Sequence, residues 1–161
     1  MKTINRKTVL CILTVALLSG IAVYRLMLPA TDTAEVPGLS FRVPFRIHDQ
    51  ISENGIFRIT DKSSSLPGSN LKKVTVNEKD EILTEEQFAA LEADVIKSAS
   101  LHGEIANGSF SAKYYSTDSS GLSYTAYLYH TQSGKMRCFT FENLSAEEVL
   151  GILLSMKETG E

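Results

Sequence analysis

The stretch Leu122-Ser-Tyr-Thr-Ala-Tyr-Leu-Tyr-His-Thr-Gln-Ser-Gly-Lys-Met-Arg-Cys-Phe-Thr-Phe-Glu142 predicts a β-hairpin. Its two halves, 122–131 and 135–142, are rich in aromatic residues and are predicted strands. The tight turn Gln132-Ser133-Gly134 joins them. This hairpin makes an antiparallel sheet the centre of the predicted fold.

Four further strands are predicted upstream. In 39–47 apolar and polar residues alternate, which is typical of a half-buried strand. Pro44 cannot donate to a sheet, so this strand is expected at an edge or with a bulge. The turn Glu53-Asn54-Gly55 leads into a strand over 56–60, and the two strands are expected to form a hairpin. After a loop over 61–70, the remaining two strands are 71–76 and 109–116.

Two capping boxes predict helices. Thr84 and Gln87 open the first, and Ser145 and Glu148 open the second. The first helix is expected to continue to His102 and to stop at Gly103, and the second carries a terminal apolar stripe. The apolar face of the first helix consists of Phe88, Leu91, Val95 and Ala99. The apolar stripe of the second helix consists of Val149, Leu150, Leu153 and Met156.

The predicted order βββ-α-βββ-α indicates an α+β fold, a mostly antiparallel sheet with flanking helices. With its proline-interrupted strand Gly38-Leu-Ser-Phe-Arg-Val-Pro44 and its final helix Glu147-Glu-Val-Leu-Gly-Ile-Leu-Leu-Ser-Met-Lys157, the chain resembles the Mog1/PsbP-like domains, including the exported DcrB group, over residues 38–157. The resemblance implies a non-enzymatic adaptor or accessory domain and carries over no catalytic residue.

The N-terminus predicts a membrane anchor. Residues 8–24 form a run without charge after Lys2, Arg6 and Lys7, and residues 8–28 span a bilayer if Arg25 reaches the outer headgroups. The basic residues keep the N-terminus in the cytoplasm. We therefore expect a single-pass protein of the bacterial inner membrane: an anchor over 1–28, a solvated linker over 29–38, and a periplasmic domain over 39–158.

A cleaved signal peptide is the alternative. Gly20-Ile21-Ala22 offers a small-x-small cleavage site before Val23. The apolar run continues past this site, which favours a retained anchor.

The charge of the exported part argues against a nucleic-acid partner. All acidic residues lie after residue 28, which leaves 12 basic against 19 acidic residues there and a net charge of −7. An acidic domain without a basic stripe is a poor ligand for a phosphate backbone.

Catalytic and metal-binding patterns are weak. His48, His102 and His130 are scattered, so neither a metal site nor a cofactor is expected. The one candidate pair for an enzyme is Cys138 with His130, because a turn centred on Ser133-Gly134 would place His130 within one residue of Cys138 across the hairpin. Ser69 and Lys72 match a catalytic spacing by chance, since they lie in a turn that leads into a strand.

Tyrosines of the predicted sheet are the favoured binding residues. Tyr127 and Tyr129 share a side opposite Ala126 and Leu128, which look like core, so the two tyrosines are expected to face outward. Tyr115 on the neighbouring strand is placed with them. The alternative is that these side chains pack under a second helical layer.

These observations predict a membrane-anchored, extracytoplasmic, non-enzymatic domain that binds another protein. The role would be accessory or inhibitory, including that of a toxin-neutralising immunity protein. The alternatives are a small envelope enzyme that uses Cys138 and His130, and a small-molecule carrier with an aromatic pocket.

Overall fold

The structure, a computed structural model, describes residues 31–62, 70–82, 84–96, 99–108, 110–130 and 133–159. The strands in these residues are β1 (Asp32–Val36), β2 (Leu39–Val43), β3 (Asp49–Glu53), β4 (Ile56–Thr60), β5 (Lys73–Ile82), β6 (Ser100–Asn107), β7 (Phe110–Ser116), β8 (Ser123–His130), β9 (Lys135–Glu142) and β10 (Lys157–Glu158). The helices are α1 (Glu85–Ile96) and α2 (Ala146–Leu154).

The strands form two antiparallel sheets. The large sheet has the order β3-β4-β5-β9-β8-β7-β6, and the small sheet has the order β1-β2-β10. All their strand pairs are antiparallel. The predicted α+β class with a mostly antiparallel sheet is therefore confirmed.

The main core lies on one side of the large sheet, which we call the core side. Alternate residues of the central strands point there because side chains alternate along a strand. The small sheet contributes Phe41, whose ring meets that of Phe139 edge to face at 5.6 Å. Helix α2 adds Val149, Ile152 and Leu153 to the same core. The large-sheet residues of this core include Ile59, Val74, Val76, Ala112, Ala126, Leu128, Phe139 and Phe141.

Local signals placed several elements correctly. The 122–142 hairpin is present as β8 and β9, and the predicted strands over 56–60, 71–76 and 109–116 correspond to β4, β5 and β7. Both capping boxes form. Ser145 Oγ accepts from the Glu148 amide at 3.3 Å while a Glu148 oxygen accepts from the Ser145 amide at 2.9 Å, and Thr84 and Gln87 make the same exchange.

The first helix is shorter than predicted, and a strand was missed. Helix α1 ends at Ile96, and His102 and Gly103 belong to β6. Gly103 is opposite Tyr114 in the sheet, and a Cβ added there would lie 2.6 Å from the tyrosine ring. The glycine therefore makes room for a cross-strand ring and does not end a helix, and the predicted order βββ-α-βββ-α is wrong.

The predicted linker over 29–38 is also wrong, because β1 occupies Asp32–Val36. Ala34 and Val36 are buried in the core. The backbone N–H and C=O groups that we expected to bond water are paired with β2 instead. Pro37 and Gly38 form the turn to β2, with Gly38 at a φ of +69° that suits glycine.

The first predicted strand, 39–47, is shorter than expected, because only Leu39–Val43 form a strand. β2 ends at Val43, one residue before Pro44, and it lies in the middle of the small sheet. The expected edge position and the hairpin between 39–47 and 56–60 are therefore wrong: β2 pairs with β1 and β10, and β4 pairs with β3.

The predicted anchor over 8–28 lies outside the described residues. Neither α1 nor α2, the helices of the described part, has the length and apolarity that crossing a membrane requires.

Candidate functional site

Tyr127 and Tyr129 lie on the side of the large sheet opposite the core, which we call the tyrosine side. Both side chains are half-buried, whereas Ala126 and Leu128, which alternate with them along β8, are buried in the main core. The predicted separation of the two sets of side chains is confirmed.

The tyrosines rest on a small second core. Met136 on β9 pairs with Tyr129 and is fully buried, and Leu91 of α1 packs against Met136 together with both tyrosines. A helix thus contributes to this side, as the alternative interpretation predicted. The half-buried tyrosines keep part of their surface for contact with solvent.

Tyr115 does not share that surface. Its side chain is 0% exposed, and its ring lies edge to face with that of Tyr127 at 6.4 Å. The prediction of Tyr115 as a binding residue is wrong, because a neighbouring ring and the sheet cover it.

Burial raises the pKa of the Tyr127 phenol, and the facing Cys138 raises this pKa further. The phenol is therefore neutral at physiological pH. It offers a partner a hydrogen-bond donor on an apolar ring, the combination that protein interfaces favour.

Cys138 and His130 lie on opposite sides of the sheet. The hairpin register pairs Tyr127 with Cys138 and Leu128 with Arg137, which places Cys138 on the tyrosine side. His130, two residues after Leu128, points to the core side. The predicted Cys138 and His130 pair is therefore wrong: it required a one-residue shift that would bring His130 opposite Cys138, whereas the register places Tyr127 there and leaves His130 on the other side of the sheet.

A pocket of about 530 Å³ opens on the core side, where the β8–β9 hairpin meets the small sheet. Phe110 and Leu128 form its apolar floor. We call this the hairpin pocket. Its lining is Pro37, Gly38, Phe110, Leu128, His130, Ser133, Lys135, Arg137, Glu158 and Thr159.

Hydrogen bonds fix one wall of the hairpin pocket. The Ser133 amide donates to His130 Nδ1 at 3.1 Å, so in the neutral ring the proton is on Nε2, which bonds a Glu158 carboxylate oxygen. Ser133 Oγ also lies 2.5 Å from Nδ1. The imidazole therefore links the hairpin turn to β10.

The opposite wall is fixed by an arginine. Arg137 Nη2 donates to the Pro37 carbonyl at 2.6 Å, and the Thr159 amide donates to the Gly38 carbonyl at 3.4 Å. The guanidinium is thus held against the β1–β2 turn.

The other residues considered for catalysis or metal binding lie outside the hairpin pocket. His48 is exposed after β2, and the His102 ring lies 5.4 Å from that of Tyr114 and 5.3 Å from that of Tyr124. Ser69 lies outside the described residues, and Lys72 forms a salt bridge of 2.6 Å with Glu148. Among the described residues no three potential ligands of the His, Cys, Asp or Glu types come together.

Sequence reasoning missed Lys135, Arg137 and Glu158 as pocket residues. A signal existed for Arg137, since it alternates with Phe139 and Phe141 and so takes a core-side position that a charged residue rarely occupies. Glu158 had no such signal, because its place depends on the pairing of β10 with β2.

No known protein family, curated protein or solved structure matches the chain. The resemblance to the Mog1/PsbP-like domains remains a prediction.

Proposed function

We propose that this chain is a membrane-anchored, extracytoplasmic, non-enzymatic module that binds another protein in a bacterial envelope. Residues 8–28 anchor it in the inner membrane with the N-terminus in the cytoplasm. The α+β domain then lies in the periplasm, behind the transmembrane helix. Its role is accessory or inhibitory, and neutralising a toxin as an immunity protein is the inhibitory version.

The observation that carries this proposal is the exposed part of the tyrosine side. Tyr127 and Tyr129 are neighbours on one side of β8, and each is half-buried on a rigid central strand above Met136. Such side chains are ordered before a partner arrives, so little side-chain entropy is lost on binding. Aromatic anchors of this kind supply much of the binding energy of protein interfaces.

Charge and the hairpin register also support binding over catalysis by the candidate pair. The exported part carries a net charge of −7, which suits a partner with a basic surface. Cys138 and His130, the predicted nucleophile and base, lie on opposite sides of the sheet.

The test is partner capture from solubilised membranes by the full chain and by the double variant Tyr127→Ala with Tyr129→Ala. Loss of an interface anchor costs about 2 kcal/mol or more, close to thirtyfold in affinity. Because these rings also cover Met136, the variant should lose some thermal stability as well.

Ile59→Val is the matched control for that loss of stability. Ile59 is fully buried on the core side, and its truncation costs about 0.5–1.5 kcal/mol without changing the tyrosine side. We expect the control to retain the captured protein and the tyrosine variant to release it. Equal retention by both variants would refute the tyrosine side as the interface.

A further inference from the structure

The hairpin pocket combines an apolar floor with charged walls. Phe110 and Leu128 are 7% and 2% exposed and form the floor. The walls carry Lys135, Arg137 and Glu158. A site with a few polar groups around an apolar base is the usual form of a small-ligand site, and its volume of about 530 Å³ lies within the usual range for such sites.

The fixed charges of the pocket favour a monoanion. Lys135 and Arg137 are cations and Glu158 is the one carboxylate of the lining, so these three side chains sum to one net positive charge. This local excess contrasts with the net charge of −7 on the exported part. A monoanion neutralises this excess, whereas a doubly charged phosphate would leave one uncompensated negative charge in the pocket.

The walls are ordered without a ligand. The Pro37 carbonyl holds the Arg137 guanidinium, and the Ser133 amide and Glu158 orient the His130 ring. A planar guanidinium in a fixed position matches a carboxylate well. A ligand would therefore meet an arginine and a histidine that are already held in place.

We propose that the hairpin pocket binds a carboxylate that carries a short apolar chain. The carboxylate lies by Lys135 and Arg137, and the chain lies over Phe110 and Leu128. Two sources share this chemistry: the C-terminal residue of a protein chain that ends in an apolar side chain, and a free aliphatic acid. The site is on the core side and does not depend on the proposed role of the tyrosine side.

In the test, the full chain is titrated with two charged probes: hexanoate, and a short peptide that ends in leucine with a free C-terminus. The same titration into protein-free medium is the blank. 1-Hexanol and the same peptide with an amidated C-terminus are the uncharged counterparts. We expect saturable binding of at least one charged probe and much weaker binding of its counterpart. The probe that binds more tightly identifies the source.

Two variants change the affinity in opposite directions. Lys135→Gln removes a cation and should weaken binding about fivefold, whereas Glu158→Gln removes the carboxylate and should strengthen binding by a similar factor. Glutamine keeps an oxygen that accepts from His130. Lys157→Gln is the control for Lys135→Gln: it also removes one positive charge, but Lys157 lies outside the pocket lining. This variant should leave the affinity unchanged.

The proposal is overturned if neither charged probe binds, if the uncharged counterparts bind equally well, or if Lys135→Gln and Glu158→Gln shift the affinity no more than Lys157→Gln. The tyrosine double variant should bind the probes normally. This last measurement distinguishes a failure of this proposal from a failure of the protein-binding function.

Discussion

Gly103 lies beneath the ring of Tyr114, and a single added methyl group there should destabilise the domain. The two residues are directly opposite in β6 and β7, and an alanine Cβ would lie 2.6 Å from Cε1 and 2.7 Å from Cζ and Oη of the tyrosine. Real Cβ atoms do not approach so closely. The ring must therefore move, although it is 6% exposed and has the rings of His102 and Tyr124 beside it.

We expect Gly103→Ala to lower the free energy of unfolding by about 1–3 kcal/mol, the usual cost of overpacking. Gly151 is the matched control. It lies on the exposed side of α2, where an added Cβ meets no described atom within 4 Å, so Gly151→Ala should raise stability by about 0.5–1 kcal/mol through helix propensity.

Urea unfolding of the fragment Thr31–Glu161 measures both substitutions. Tyr114→Leu removes the ring that the methyl group meets, so Gly103→Ala should cost much less in that background than in the wild type. An equal cost in both backgrounds would refute the steric argument, and so would a Gly103→Ala variant as stable as the wild type.

Two further predictions concern the ends of the domain and its response to pH. The fragment Thr31–Glu161 should unfold cooperatively. A fragment over 38–157 lacks β1 and part of β10, so it should bind hydrophobic dyes and aggregate on concentration. A well-folded 38–157 fragment would contradict the assigned small sheet. Burial raises the pKa of Glu148, but hydrogen bonds from Lys72 and Ser145 outweigh it and hold this pKa below its ordinary value of 4.5. The ionised form therefore stabilises the fold above that value, and the stability is lost as the pH falls through the lowered pKa. Since glutamine keeps the capping box, Glu148→Gln should cost about 1 kcal/mol at pH 7 and progressively less as the pH falls through the lowered pKa, as followed by urea unfolding. A cost independent of pH would contradict the assignment.

Elements that local signals determine could be predicted from the sequence. The hairpin over 122–142 and the helix that begins after Ser145 depend on residues within a few positions of each other, and both are present. The separation of Tyr127 from Leu128 followed from the two-residue period of a strand. These signals do not require knowledge of a distant partner.

The errors came from interactions between distant residues. Gly103 follows a run with helical spacing and so looked like a helix end, because the Tyr114 ring that explains it belongs to another strand. Asp32–Val36 reads as a polar linker until β2 covers its backbone. The error in the hairpin register was local instead, because the turn closes with the Gly134 amide donating to the His130 carbonyl at 2.9 Å and so forms a longer loop than we assumed.

The hairpin pocket could not be predicted for the same reason. Its lining comes from the β1–β2 turn, the β8–β9 hairpin and β10, which no sequence window contains. The Cys138 and His130 candidate depended on residue type and on an assumed hairpin register. The pair needed an odd shift of register that would bring Cys138 opposite His130, and the actual register pairs Cys138 with Tyr127 on the other side of the sheet.

β2 pairs with a strand near the C-terminus, so this pairing can form only when synthesis of the chain is almost finished. Ser40 is opposite Lys157, so the β1–β2 hairpin leaves the ribosome long before the strand that completes its sheet. Until then one edge of β2 exposes unpaired amide and carbonyl groups that another extended chain can pair with. Completion of the small sheet by β10 is therefore late, and a nascent chain that stalls before residue 157 presents an open sheet edge to chaperones and proteases.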